Sequence, residues 1–303
     1  MGGPVTQKLP PEATIHIEAP AVRTSAIAPA ADVLGLVDWR FKSPFLDFDA
    51  PLFERIEELG RLIGEQVAKL RAIDPEAPID HILCSSYLPK NLTDIPERTN
   101  RLMEIIALVG GVRPAGLIQT YECASWGCVW RCHAAFSRND DLMFTVVDAD
   151  LYGLTHFAEH PSVGASGFGM TTVHLRLPAD SRGETIFVDG PYPDSGFKQF
   201  IRALRERHAR VGSKRVMIPF FREDLGLIAQ RIVGPETACL NRNAVHGHCF
   251  GSDPWIALAE AVIDGTLVEG DLATLGTLAY NGYFAVADVR APAPARVEHS
   301  VWP

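Results

Sequence analysis

The sequence predicts an α/β fold made of two halves of like order, and three observations carry that prediction. Amphipathic helix patterns alternate with short runs rich in β-branched residues along most of the chain. The order helix, strand, helix, strand, buried or capped helix, strand, strand occurs twice, although the halves share little residue identity. Each half also contains a turn into a helix where chemically capable side chains gather, at Cys123 and at His246–Asp253.

Residues 1–13, rich in proline, read as a disordered arm, and 14–19 and 25–28 fit short strands. The stretch 32–48 reads as irregular chain. Phe53, Ile56, Leu59, Ile63, Val67 and Leu70 then recur at three- and four-residue intervals. With Glu54, Glu57 and Glu58 near its start and Lys69 and Arg71 near its end, this helix also suits its own dipole. Residues 79–87 form a buried-type strand, and Pro96 opens a helix running to about 109. A strand at 115–121 leads into 123–136, where small, apolar and sulfur-containing residues on nearly every side suit a helix buried all round, Arg131 excepted. Strands at 142–149 and 167–177 close the first run of elements.

The second run begins with a helix at 197–211, a strand at 215–221 and a helix at 225–233. A helix at 254–263 follows, with Asp253 as N-cap, Pro254 in the first position and Gly265 past the end. Strands at 272–278 and 283–289 pair through Tyr280-Asn281-Gly282. The Pro- and Ala-rich chain after Arg290 reads as loosely ordered. The resulting division is an arm (1–13), an N-terminal half (14–165), a C-terminal half (166–292) and a tail (293–303).

Composition narrows the function. The chain has 303 residues, is 47% hydrophobic and 21% charged, and carries a net charge of −9. That acidity argues against nucleic acid or an anionic membrane as partner. No run approaches the roughly 20 apolar residues that span a bilayer, and the first residues lack a basic-then-apolar signal pattern. A cytoplasmic protein with reduced thiols is expected. Among Cys84, Cys123, Cys128, Cys132, Cys239 and Cys249, no pair has zinc-type C-x-x-C spacing. On one helix Cys123 and Cys128 point about 140° apart. No metal is expected.

Most buried cysteines are inert, and Cys128 and Cys132 read that way. Cys123 differs by position. It falls where a strand turns into a buried helix, so its sulfur can face the positive helix end, although Glu122 beside it opposes a thiolate. If the halves are related by a pseudo-twofold, Cys123 corresponds to the 248–251 loop. The two helix openings then deliver a cysteine and a histidine to one pocket.

These residues carry a resemblance. Glu122-Cys123-Ala124-Ser125-Trp126, His246-Gly247-His248-Cys249 and the run from Asp264-Gly265 through Gly270-Asp271-Leu272 resemble blocks of the thiolase superfamily, in its β-ketoacyl-ACP synthase III branch. The resemblance spans roughly 54–290 and implies the thiolase fold: duplicated βαβαβαββ halves in a five-layered α-β-α-β-α sandwich. It implies Cys123 as nucleophile and His248 as a base, with Phe220, His246, Asn281 and Gly282 around the oxyanion site or pocket.

The departures redirect the chemistry. Phe220 stands where the family's P-H-x-x-N histidine would be, and His248 stands where its H-G-N asparagine would be. Ala279-Tyr280-Asn281-Gly282 replaces the F-G-G-G turn, and Gly167-Phe168-Gly169-Met170 a G-D-G-A pattern. Decarboxylative condensation needs two donors on the malonyl carbonyl, and Phe220 supplies none from its side chain. Acyl transfer needs only a nucleophile, oxyanion donors and a base. The resemblance therefore implies a cysteine acyltransferase using acyl-CoA or a phosphopantetheinyl acyl carrier protein as co-substrate, with no bound cofactor, in specialised metabolism. A homodimer is implied, or a heterodimer with a synthase-like subunit. Two alternatives stay open: a non-catalytic partner subunit, and a condensing enzyme with rearranged donors.

Overall fold

The structure is a computed structural model that describes residues 29–303 except 43–45, 87, 89–91, 93–94, 150, 153–158 and 161–162. The arm and the strands expected at 14–19 and 25–28 lie outside the described residues. Strands in chain order are β1 (Ala31–Phe41), β2 (Ile79–Cys84), β3 (Gly116–Ile118), β4 (Asp141–Asp148), β5 (Glu159–His160) and β6 (Gly164–Ala165). They continue as β7 (Gly169–Arg176), β8 (Ile186–Asp189), β9 (Arg215–Met217), β10 (Leu272–Leu278), β11 (Phe284–Arg290) and β12 (Val297–Trp302). Helices are α1 (Leu52–Arg71), α2 (Pro96–Gly110), α3 (Ser125–Phe136), α4 (Gly196–Val211), α5 (Glu223–Val233), α6 (Asn243–His246) and α7 (Asp253–Ile263).

Among the described residues ten strands form one hydrogen-bonded path, β3-β2-β4-β7-β1-β11-β10-β9, with β12 on β1 and β8 on β11, and the path divides at β1 into a first and a second sheet. Two sheets meet at β1. Its first residues take β11 as a parallel neighbour at Ala31 and Asp32, and its later residues take β12, also parallel, from Leu36 to Phe41.

Helices occupy three levels around the two sheets, which gives five layers. Helices α1 and α2 cover the outer face of the first sheet with Ile56, Leu59, Ile63, Val67, Leu102 and Ile106. Helices α4 and α5 cover the outer face of the second with Phe200, Leu204, Ala229 and Val233. Between the sheets lie α3 and α7, touching strands of both. Each fully buried Leu or Ile contributes about 1.5–3 kcal/mol. Small residues set the spacing of α1 and α2: a Cβ on Gly64 would sit 2.7 Å from Val109.

The structure corrects several expectations. The stretch read as irregular at 32–48 contains β1, the strand on which both sheets are hung. The loosely ordered tail is a one-turn helix at Pro294–Arg296 followed by β12. Strand β7 pairs with β4 and β1. Helix α3 is buried all round over Ser125–Trp130, as expected, but its second half also exposes Cys132, Ala135 and Phe136 beside Arg131. Among the described residues, no helix is long and apolar enough to cross a membrane.

A polar ladder crosses the first sheet. His81 Nε2 lies 3.0 Å from Thr145 Oγ1, Thr145 and Thr172 hydroxyls meet at 2.9 Å, and Thr172 donates to Gln66 Oε1 at 2.7 Å. Burial drives the His81 pKa down to about 3, and it lowers those of His133 and His174 as well. A histidine whose folded pKa is depressed stabilises the fold above its unfolded pKa of about 6.5 and loses that contribution as pH falls. For His81 this removes about 2 kcal/mol of stability between pH 7 and pH 5. Urea unfolding of His81→Gln should lose that share of the pH dependence. Parallel stability–pH curves for the two proteins would show that His81 takes up a proton in the folded state.

Candidate active site

Cys123 sits in a strained turn. After β3, Glu122 adopts a left-handed backbone with φ of 45°, and Glu122–Ala124 form one 3-10 turn that runs into α3. Ser125 Oγ donates to Glu122 O at 2.6 Å and fastens the junction. The second half repeats the device: Phe250 has φ of 48°, and Phe250–Ser252 form a 3-10 turn that runs into α7. A left-handed non-glycine costs about 1–3 kcal/mol and persists only where packing enforces it. The repeat aligns Glu122 with Phe250 and Cys123 with Gly251.

The two turns touch. A Cβ on Gly251 would lie 2.9 Å from the Cys123 carbonyl oxygen, so the close approach needs glycine there. Thr277 Oγ1, from β10, donates to the same carbonyl at 3.1 Å. Tyr121 and Tyr283 rings pack edge to face, centroids 4.6 Å apart, beside the turn.

His248 is brought to Cys123 by the loop after α6. Its N–H donates to Ala165 O at 2.7 Å and its carbonyl accepts from Gly167 N–H at 2.9 Å, pinning it between β6 and β7. The imidazole is buried, its Nδ1 is 2.7 Å from Asp253 Oδ2, and it interacts with the Cys123 thiol. Asp253 is fully buried. It is no N-cap: its carboxylate turns back to accept from Cys249 N–H at 2.6 Å and from Phe220 N–H at 2.8 Å. The result is a chain of thiol, imidazole and carboxylate. Asp253 was missed as a functional residue because its place before Pro254 reads as a helix start. The available signal was a carboxylate five residues after His248.

Electrostatics follow from this burial. Desolvation raises the Cys123 pKa, with His248 opposing it, so the positive helix end does not by itself yield a thiolate. For His248 desolvation opposes protonation, but Asp253 and Cys123 override it and push the imidazole up to about 10. At neutral pH the pair rests as imidazolium beside thiol. The first proton is then lost from the pair as a unit, a macroscopic step that belongs to both groups.

The other expected site residues have structural partners. Phe220 is fully buried, its ring stacked on His246 with centroids 6.2 Å apart, and only its backbone N–H serves the site, through Asp253. His246 does not face Cys123's partners; its Nε2 is 3.0 Å from Glu260 Oε1. Gly282 N–H donates to Ala279 O at 3.0 Å and Asn281 Oδ1 accepts from Tyr283 N–H at 3.2 Å. Both bonds lie inside their own turn.

No protein-family description matches the chain, and no curated protein matches it. Solved structures do. An acyltransferase designated ChlB3 has a TM-score of 0.63 at 13% identity, covering 88% of this chain and 99% of its own. The priming β-ketosynthase of a polyketide biosynthetic pathway gives 0.59 at 13% identity, over 88% of this chain and 98% of that one. A 3-oxoacyl-(acyl carrier protein) synthase III from Pseudomonas aeruginosa gives 0.56 at 15% identity, over 87% and 98%. At such identities the likeness establishes the fold: this chain has the thiolase-type fold of β-ketoacyl synthase III structures.

Proposed function

We propose that this chain, on a ketosynthase III-type fold, is a cysteine acyltransferase that accepts an acyl group from a CoA or acyl-carrier-protein thioester onto Cys123 and passes it to a second nucleophile. The observation that supports this reading is the buried series Cys123, His248 and Asp253, with His248 Nδ1 2.7 Å from Asp253 Oδ2. In the first half-reaction the Cys123 thiolate attacks the thioester carbonyl. The tetrahedral adduct then expels the donor thiolate, which takes the proton from the His248 imidazolium. In the second, the now neutral His248 accepts the proton of an incoming hydroxyl, amine or thiol, and the acyl–sulfur bond breaks to restore the Cys123 thiolate. Asp253 holds the ring and stabilises its charged form.

Decarboxylative condensation is disfavoured by the same residues. A malonyl enolate needs two donors at one oxygen. Phe220 offers only a backbone N–H, which Asp253 already occupies.

Intact-mass measurement after incubation with a panel of acyl-CoA thioesters tests the proposal. One acyl adduct per chain is expected, absent in Cys123→Ala and released by a nucleophilic acceptor. An unlabelled protein with every donor would overturn it, as would an adduct that persists in Cys123→Ala. Release of CO₂ from a malonyl thioester would instead establish condensation.

A further inference from the structure

We infer that His246, Glu260 and His299 form a site for a divalent transition-metal cation, zinc by donor type, that clips the C-terminal strand to the helix and loop behind Cys123 and His248. This inference does not depend on the proposed acyl transfer. One ligand atom from each of the three residues lies within 4.8 Å of both others. They come from separate elements: His246 ends α6, Glu260 lies on α7 and His299 on β12. Nothing in the chain's sequential spacing announces them; the fold assembles them.

The donor set suits zinc. Two imidazoles and a carboxylate form one of the common three-ligand zinc sets, with a fourth position left for water. His246 Nε2 is already 3.0 Å from Glu260 Oε1, and the His246 and His299 rings stand perpendicular with centroids 5.4 Å apart. Bonds of about 2.0–2.2 Å place tetrahedral donors about 3.3–3.6 Å apart. With all three ligand atoms within 4.8 Å of one another, closing onto an ion takes a shift of roughly 1 Å.

The surrounding groups act as a supporting shell. His299 Nδ1 is bonded to Asp38 Oδ2 at 2.8 Å, which leaves its Nε2 for the ion and reproduces the carboxylate–histidine–metal arrangement. Arg242 Nε donates to Glu260 Oε2 at 2.8 Å, so Oε1 is the oxygen left to bind. Two guanidiniums, Arg242 on Glu260 and Arg40 on Asp38, oppose a cation here. The carboxylates of Glu260 and Asp38 offset them. A cavity of about 240 Å³ lined by Arg242, Glu260 and Asp264 lies beside Glu260, the one ligand of the three that borders it.

Equilibrium dialysis of the metal-stripped full-length protein against Zn²⁺, with metal content read by mass spectrometry, tests the inference. One equivalent is expected in the intact chain and in Cys123→Ala. His299→Ala and Glu260→Gln should each weaken binding roughly 100-fold. Cobalt substitution should give d–d bands without thiolate charge transfer. Absence of binding, indifference to both ligand variants, loss in Cys123→Ala or thiolate bands would each overturn the site. Should both ligand variants fail to fold, zinc-edge anomalous scattering from crystals of the intact protein decides. A peak between the three side chains supports the inference, and a peak elsewhere or none refutes it.

Discussion

Replacing His248 with alanine should slow acylation of Cys123 by about 10²–10⁴-fold and push the thiol's titration to higher pH. The sign follows from the forces on the sulfur. Burial, Glu122 and Asp253 all raise the Cys123 pKa, and the imidazole lowers it through a hydrogen bond and its charge. Remove the ring and only the raising effects remain. Alkylation by iodoacetamide, followed by intact mass between pH 6 and pH 10, reads this without needing the natural donor. The wild-type rate should climb with pH as the pair loses its first proton, and the His248→Ala curve should lie below it and be shifted right. Asp253→Asn should fall between them: the ring keeps its contact with sulfur but loses the carboxylate that holds it charged. Superimposed curves for wild type and His248→Ala would mean that the two side chains do not share a proton, and the acyltransferase reading would lose its base.

How much of this was readable beforehand depends on where polar residues sit. The apolar rhythm of α1 was legible because its periodicity reports a single buried face, and α7 and the β10–β11 pair were legible as apolar runs bounded by Pro254, Gly265 and the Asn281-Gly282 turn. Strand β1 was not. Asp32, Asp38 and Arg40 make ADVLGLVDWRF look like polar loop, yet Asp38 and Arg40 are buried because they satisfy each other. Strand β12, VEHSVW, hides its role in the same way, with Glu298 on Trp39 and His299 on Asp38. Neither residue type advertises burial, and partners more than two hundred residues away are invisible to a local pattern. The site divides along the same line. Cys123 and His248 were visible as residues at helix openings, whereas Asp253 was taken for a cap because its partners, Phe220 and Cys249, are set by tertiary packing.

That buried polar knot is the basis of the other large effect. Arg40→Met should cost about 3–5 kcal/mol of stability at neutral pH, the usual penalty for leaving buried charge unpaired. Arg40 Nη1 donates to Asp148 Oδ2 at 2.9 Å, Nε and Nη2 reach Asp38 Oδ1 at 2.8 and 2.6 Å, and Nη2 also meets Thr171 Oγ1 at 2.6 Å. Burial alone would raise the Asp38 pKa, but Arg40 and His299 hold it at about 2; on Asp148 burial prevails and lifts it to about 6 despite Arg40. In the native chain Asp38 therefore stabilises the fold above its unfolded pKa of about 3.9, and that contribution fades as pH falls towards 2. Without the guanidinium, desolvation is opposed only by His299 at Asp38 and chiefly by Ser252 at Asp148, and both carboxylates titrate higher than in the native chain. Their cost is then small where they are protonated and grows as pH rises through the new folded values. Urea unfolding should accordingly show a larger gap between wild type and Arg40→Met at pH 8 than at pH 5, and adding Asp38→Asn and Asp148→Asn should recover part of the loss at pH 8. A gap below about 1 kcal/mol, equal at both pH values, would mean that water reaches these groups and that β1 is not held by charge.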